Sequence, residues 1–474
     1  MRGLRKGTPF CVVKINKCGQ EFMSRNVKRR FRLRLILEGC GTGLAAGLSV
    51  GVFRYLLGAS EDFRQIVYEN IRLAAGEGRW LFPLLYVAAF VAIAWMLAKI
   101  VAREPMCTGS GIPQVKGILM GRMSMGWASV MVAKIAGGVL AIGAGMSLGR
   151  EGPSVQIGAC AGQGIGRLSQ SSDRGLEART LLVAGAGAGL AAAFNAPFAG
   201  VIFGLEELQR TFSAAGLLVS ITAAVTAAAV TELFFGSSPV FSLGYLLPMP
   251  LDMLGWLAVL GLFVGALGRM FNPSLLWAQD FYERLGLKGM CKPLLPLLLA
   301  ACLGFVLPEI LGGGNRLVDA LAVESYSLAF LCLLFAGKFL FTMLCFGSGV
   351  PGGIFLPMLV LGALGGAIFG HLLAAAGLFP AMYLPDMIVF GMAAYFAVVV
   401  KSPVTGSVLI MEMTGSFQHM LALLIVSLSA YAVSDLTGGR PVYGELLGRL
   451  LRRNKGREKK ILSRVDKIKK SVIK

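Results

Sequence analysis

Long uncharged stretches fix what this chain can fold into. Trp80 to Ala98, Thr180 to Leu205, Thr211 to Thr231, Met413 to Ser434 and above all Phe339 to Pro385 contain no Asp, Glu, Lys or Arg. A soluble core needs apolar faces rather than apolar runs of this length, whereas a helix crossing a bilayer needs about 20 consecutive apolar residues. The 474-residue chain is 56% hydrophobic and only 15% charged, which excludes a disordered or an ordinary soluble protein. About eleven apolar segments can be counted, several of them interrupted by Gly and Pro. The expected fold is an all-α polytopic membrane protein.

The formal charge of +20 is unevenly spread. Residues 1–34 hold 11 Lys and Arg against Glu21, and residues 449–474 hold 12 against Glu458 and Asp466, so each tail carries +10 and the middle is neutral. By the positive-inside rule both tails belong in the cytoplasm, which requires an even number of crossings. Nucleic-acid binding is the other use of such charge, but neither tail interleaves aromatics with its cations as a stacking surface would. Membrane lipid is the expected partner surface, and no nucleic acid is expected.

Little in the sequence supports metal or hydrolytic chemistry. The nine cysteines lie singly, without a CxxC pair. The only histidines, His371 and His419, sit in apolar stretches, where a lone imidazole is usually a packed, hydrogen-bonded side chain. No cofactor or metal is expected. A cleavable signal peptide is not expected either, because the first apolar run follows 34 polar and basic residues.

Two internal repeat registers compete. GSGIP at Gly109 to Pro113 returns as GSGVP at Gly347 to Pro351, an offset of 238. The second register has two blocks. Gly185, Ala188, Ala191, Pro197, Gly200 and Glu206 return at an offset of 206 as Gly391, Ala394, Ala397, Pro403, Gly406 and Glu412. GREGP, ending at Pro153, matches GIFLP, ending at Pro357, at an offset of 204. The second register is preferred, and it divides the chain into a basic tail (1–34), two transmembrane halves (35–240 and 245–448) and a second basic tail (449–474). If each half has an odd number of crossings, the halves are inverted relative to one another, with an ion site between them. The repeat pairs Glu206 with Glu412, so both read as structural, buried and hydrogen-bonded. Glu207 has no repeat counterpart, because Met413 occupies its position. A second carboxylate in a membrane helix, costing about 2.5–3.5 kcal/mol if charged at the centre, is a candidate proton site.

Three segments resemble the starts of helices that could hold an anion: GSGIP, GREGP and GSGVPGGIFLP (Gly347 to Pro357). Gly permits close backbone approach and Pro suits a first helical turn. The free N–H groups there carry about half a positive charge, which suits a small monovalent anion. No phosphate-loop lysine follows any of them.

In this order, and with Tyr443 in a later GRPVY, these segments resemble the CLC chloride channel and transporter family over about Glu38 to Leu450. The resemblance implies two halves of inverted topology per subunit, about seventeen or eighteen helices including broken and re-entrant ones, and a homodimer with one pore per subunit. It puts chloride between the hydroxyls of Ser110 and Tyr443 and the backbone N–H groups of Ile354 and Phe355. Glu151 of GREGP is similar to the family's external gating glutamate, a tethered competitor for the anion that is released on protonation. Glu207 falls where the family's exchangers keep an internal proton-transfer glutamate.

The chain also departs from the pattern. Gln114 and Lys116 stand where acidic residues are common in bacterial exchangers, which leaves the charge of the intracellular pathway open. About 30 residues follow Tyr443, too few for the paired nucleotide-sensing domains (CBS domains) of many eukaryotic members. Ser110 favours chloride over nitrate, and GREGP disfavours the fluoride-exporting branch. The resulting expectation is a proton-coupled chloride antiporter in a prokaryotic cell membrane. A passive chloride channel gated by Glu151 remains the alternative, and a membrane-embedded enzyme the more distant one.

Overall fold

The computed structural model describes residues 17–77, 81–169, 176–209, 213–241, 243–244 and 246–453, with residues 17–32 as backbone only. The tail segments 1–16 and 454–474 lie outside the described residues. The described chain is helical throughout, and its only β pairing is two isolated bridges. Eight of its helices are long and apolar enough to cross a membrane, and three more are apolar but shorter. Those eleven match the apolar runs in the sequence. The structure adds helices too short to produce such a run. Seventeen bounded α-helices are described, and an eighteenth runs over 442–453.

Helix boundaries follow the 204/206 repeat. The helix α5 (Glu151–Leu168) begins 204 residues before α14 (Phe355–Ala375), and α7 (Pro197–Phe203) begins 206 before α16 (Pro403–Thr414). The pair α8 (Ala214–Phe235) and α17 (Met420–Leu436) has the same offset, and α6 (Leu176–Phe194) ends 206 before the end of α15 (Leu384–Val400). Packing repeats as well: α5 lies on α6 and α6 on α8, as α14 lies on α15 and α15 on α17. Two of these contacts are backbone on backbone. A Cβ on Gly158 would run into the Gly185 carbonyl, and one on the equivalent Gly362 into that of Gly391. Small residues that let helices approach closely replace the hydrophobic drive that lipid does not supply. Gly158→Leu is therefore expected to lower stability by about 1–3 kcal/mol. Thermal unfolding in detergent reads this effect, and an unchanged midpoint would refute the close-contact argument.

The repeat reaches further than sequence identity. Gly109 and Gly111, with φ of 60° and 92°, correspond to Gly312 and Gly314, with φ of 59° and 98°. Thus GSGIP is equivalent to the turn GGGNR (312–316), not to GSGVP. The literal match at offset 238 instead joins two turns that face each other, since Gly109 N–H donates to Val350 O (3.1 Å) and Gly352 N–H to Gly109 O (3.0 Å).

Candidate functional site

All three Gly-rich segments meet at one place. The turn 347–353 is bonded to Gly109 on one side and to Gly149 on the other, where Gly149 N–H donates to Gly353 O (2.7 Å) and Gly353 N–H to Gly149 O (2.8 Å). This stitching holds the starts of α5, α14 and α3 (Ile112–Leu119) together. The equivalent helices α5 and α14 are themselves in contact, and the Gly149–Gly353 bridge lies just before the start of each. The first N–H groups of a helix have no intrahelical partner, so the start of α14 presents free donors inside the protein.

Glu151 uses one of them. Its carboxylate is fully buried, and Oε2 accepts the N–H of Leu356 (3.3 Å), the residue after Ile354 and Phe355. Oε1 has no hydrogen-bond partner among the described residues. The negative group is therefore seated where the sequence puts an anion, at a helix start that stabilises it.

Ser110 packs against Gly152, beside Glu151, with no room for a Cβ between them. Tyr443 lies in the first turn of the helix over 442–453, which is referred to as α18. Its approach is fixed by Asn272, which donates to Val399 O (3.1 Å) and Arg440 O (2.9 Å). Both residues are buried, at 1% and 0% exposure, and both hydroxyls lack a hydrogen-bond partner among the described residues. Buried hydroxyls are normally satisfied. Two such donors near a helix start fit a small anion that supplies the missing acceptor. A cavity of about 580 Å³ leads to Ser110 and is rimmed by Lys288, Lys292, Arg449 and Arg453. Arg449 and Arg453 are paired with Asp280 and Glu283.

The two adjacent glutamates divide as the repeat indicated, with a refinement. They lie in a π-helical turn over Gly204–Gln209, a local widening that is common at functional sites. Glu206 is half-buried, and its Oε2 accepts the N–H (2.7 Å) and hydroxyl (2.5 Å) of Thr405 at the start of α16. Glu412 reciprocates from α16, accepting the N–H groups of Phe198 (3.1 Å) and Ala199 (2.7 Å) at the start of α7. Each half thus caps the short helix of the other. Glu207 points elsewhere and is fully buried, where it pairs with Lys116 Nζ and accepts the Ser402 hydroxyl (3.2 Å).

Two buried lysines went unnoticed in the sequence. Lys134 donates to Cys107 O (2.8 Å) and Gly109 O (2.6 Å), and Lys338, 204 residues later, to Ile310 O (2.9 Å) and Gly312 O (2.8 Å). They clamp the two equivalent turns, and their shared register with the repeat was the available signal. Both histidines are satisfied: His371 by Ala367 O, and His419 by the Ser416 hydroxyl and Leu247 O. Among the described residues no group of three or more His, Cys, Asp or Glu could hold a metal.

Two pseudo-repeated helical halves, with broken helices starting at a common anion-like site, define an ion-transport membrane protein. The chain matches the model of the voltage-gated chloride channel family over residues 87–435, and it belongs to that family. It is 35% identical over 459 residues to the H(+)/Cl(−) exchange transporter ClcA of Citrobacter koseri, covering 90% of this chain and 93% of that one. The ClcA of Salmonella newport is 35% identical over 453 residues, with the same coverage. Among solved structures, a slow cyanobacterial Cl−/H+ antiporter has a TM-score of 0.79 at 31% identity, covering 89% of this chain and 99% of that one. A eukaryotic CLC transporter has a TM-score of 0.73 at 26% identity, over 89% and 74%.

Proposed function

We propose that this chain is a proton-coupled chloride antiporter in which Glu151 is the external gate and Glu207 the internal proton-transfer group. The reading rests on two fully buried carboxylates, one seated at the start of α14 and the other in the π-helical turn. A buried ionisable group in a membrane protein is expensive and is normally retained for function. The exchange activity carried in the names of the ClcA relatives and of the cyanobacterial structure supports the same reading.

Chloride enters through the cavity rimmed by Lys288 and Lys292 and reaches Ser110. There it accepts the hydroxyls of Ser110 and Tyr443 and the N–H groups of Ile354 and Phe355. The Glu151 carboxylate competes for the same helix start while it is charged. A proton on Glu151 cancels that charge, the side chain leaves the N–H of Leu356, and the anion passes. Glu207 exchanges protons with the cytoplasm and Glu151 with the outside, so protons and chloride move in opposite directions. The protein works as a homodimer with one pore per subunit, surrounded by membrane lipid. Its halves, 35–240 and 245–448, are the two inverted repeats, and its basic tails hold both termini in the cytoplasm.

Purified protein reconstituted into vesicles tests this directly. An imposed chloride gradient is expected to drive protons uphill. Chloride flux without proton movement would make the chain a passive channel gated by Glu151.

A further inference from the structure

The sequence marks Lys116 as a departure, a cation where acidic residues are common, and the structure shows what it meets. Its Nζ donates to Oε1 of Glu207, and the pair lies inside the protein, with Glu207 fully buried and Lys116 only 7% exposed. Lys116 also sits on the helix that carries the anion turn. The helix α3 follows directly on Ser110, with the left-handed Gly111 as its cap. The near end of that helix is fixed, since Gln114 Nε2 donates to Thr108 O (2.7 Å) and Gln156 Nε2 to Met106 O (2.9 Å). One short, anchored helix therefore has the Ser110 hydroxyl at its start and the ammonium bonded to Glu207 further along.

The other charged groups nearby are engaged elsewhere. Glu206 is turned to Thr405, Lys134 to Cys107 O and Gly109 O, and Lys401 to Asp435 and Gly439 O. The Tyr443 phenol is within electrostatic reach of both Glu207 and Glu151. A carboxylate buried this close to an anion path would repel the anion whenever it is charged. The ammonium cancels that field and holds the carboxylate in one orientation.

Resting on the antiporter reading above, we infer that Lys116 is a positioning residue for the proton site: its buried charge lets Glu207 stay ionised beside the chloride path without repelling chloride. Removing either charge then has a predictable sign. Lys116→Met removes the ammonium from the buried Glu207 carboxylate, which then keeps its proton to higher pH and, once ionised, disfavours chloride. Glu207→Gln leaves a lone buried ammonium, which favours chloride. The double variant carries neither charge.

The test measures exchange in vesicles as a function of pH, and chloride affinity by titration calorimetry of the detergent-purified protein with potassium chloride. Lys116→Met is expected to move the pH profile of exchange alkaline by about one unit or more, and Lys116→Arg to retain the wild-type profile. At alkaline pH, chloride affinity should fall about threefold or more in Lys116→Met, whereas in Glu207→Gln it should rise comparably at acidic pH, where the ammonium keeps its proton. In the double variant it should return close to wild type. A wild-type pH profile and affinity in Lys116→Met would overturn the assignment. So would equal loss of both fluxes in the Met and Arg variants with no shift in profile, since that reports a structural role alone. If Lys116→Met does not fold, Glu207→Gln is compared with the double variant, and equal chloride affinities there would also overturn it. Coupling retained in Glu207→Gln alone would sink the proton-site reading instead, and so separates the two failures.

Discussion

Glu151→Gln is expected to leave chloride moving at a rate that no longer depends on pH, while proton transport falls by about a hundredfold or more. The geometry explains both halves of that result. The charged carboxylate competes for the start of α14 because its Oε2 accepts the Leu356 N–H, at a helix end worth about half a positive charge. An amide at 151 has no net charge to hold it there against chloride, so the gate loses its affinity for the site. It also cannot take up or release a proton near neutral pH, so the extracellular half of the proton route is cut. The other proposed anion contacts, the Ser110 and Tyr443 hydroxyls and the Ile354 and Phe355 N–H groups, are not altered by the substitution. Vesicle assays that follow chloride efflux and proton uptake at several pH values separate the two fluxes. Chloride flux that keeps its pH dependence in Glu151→Gln would remove this residue as the gate.

How much of this was legible in the sequence depended on which residues the repeat had kept. The 204 and 206 offsets located the starts of α5 and α14 and of α7 and α16 because Pro and Gly at those positions are dictated by helix starts and close backbone approach. The meeting of the three Gly-rich turns was not legible, since the bonds from 347–353 to Gly109 and Gly149 join distant parts of the chain. Helix number was not, since α3, α7 and α12 (Asn315–Val323) are too short to produce a lipid-spanning run. The sequence pairs Glu206 with Glu412 as structural residues, and the structure shows them half-buried, each capping a helix of the opposite half. That exchange is a tertiary arrangement which no local pattern carries. Lys134 and Lys338 were overlooked because a lysine in an apolar stretch ordinarily reads as a helix end, whereas here each ammonium is satisfied by two carbonyls of a Gly turn. Lys116 was visible only as an exception, and its meaning depended on finding Glu207 at its tip.

Glu207→Gln is expected to lower proton movement by about tenfold or more, while keeping chloride flux within a few-fold of wild type. The neighbouring carboxylate cannot take over. Glu206 is held by the N–H and hydroxyl of Thr405 and faces the start of α16, so moving it would uncap that helix. The amide at 207 can still accept hydrogen bonds from Ser402 and Lys116, which preserves the packing around the π-helical turn and keeps the experiment free of gross structural loss. Chloride flux is expected to survive because the proposed ligands, at Ser110, Ile354, Phe355 and Tyr443, are not themselves substituted. The measurement is the ratio of proton to chloride flux under an imposed chloride gradient. A companion Glu206→Gln variant should lower thermal stability while leaving that ratio unchanged. The two adjacent glutamates then separate cleanly, one carrying protons and the other holding the two halves together. An unchanged ratio in Glu207→Gln would mean that protons reach Glu151 by a route that avoids the π-helical turn.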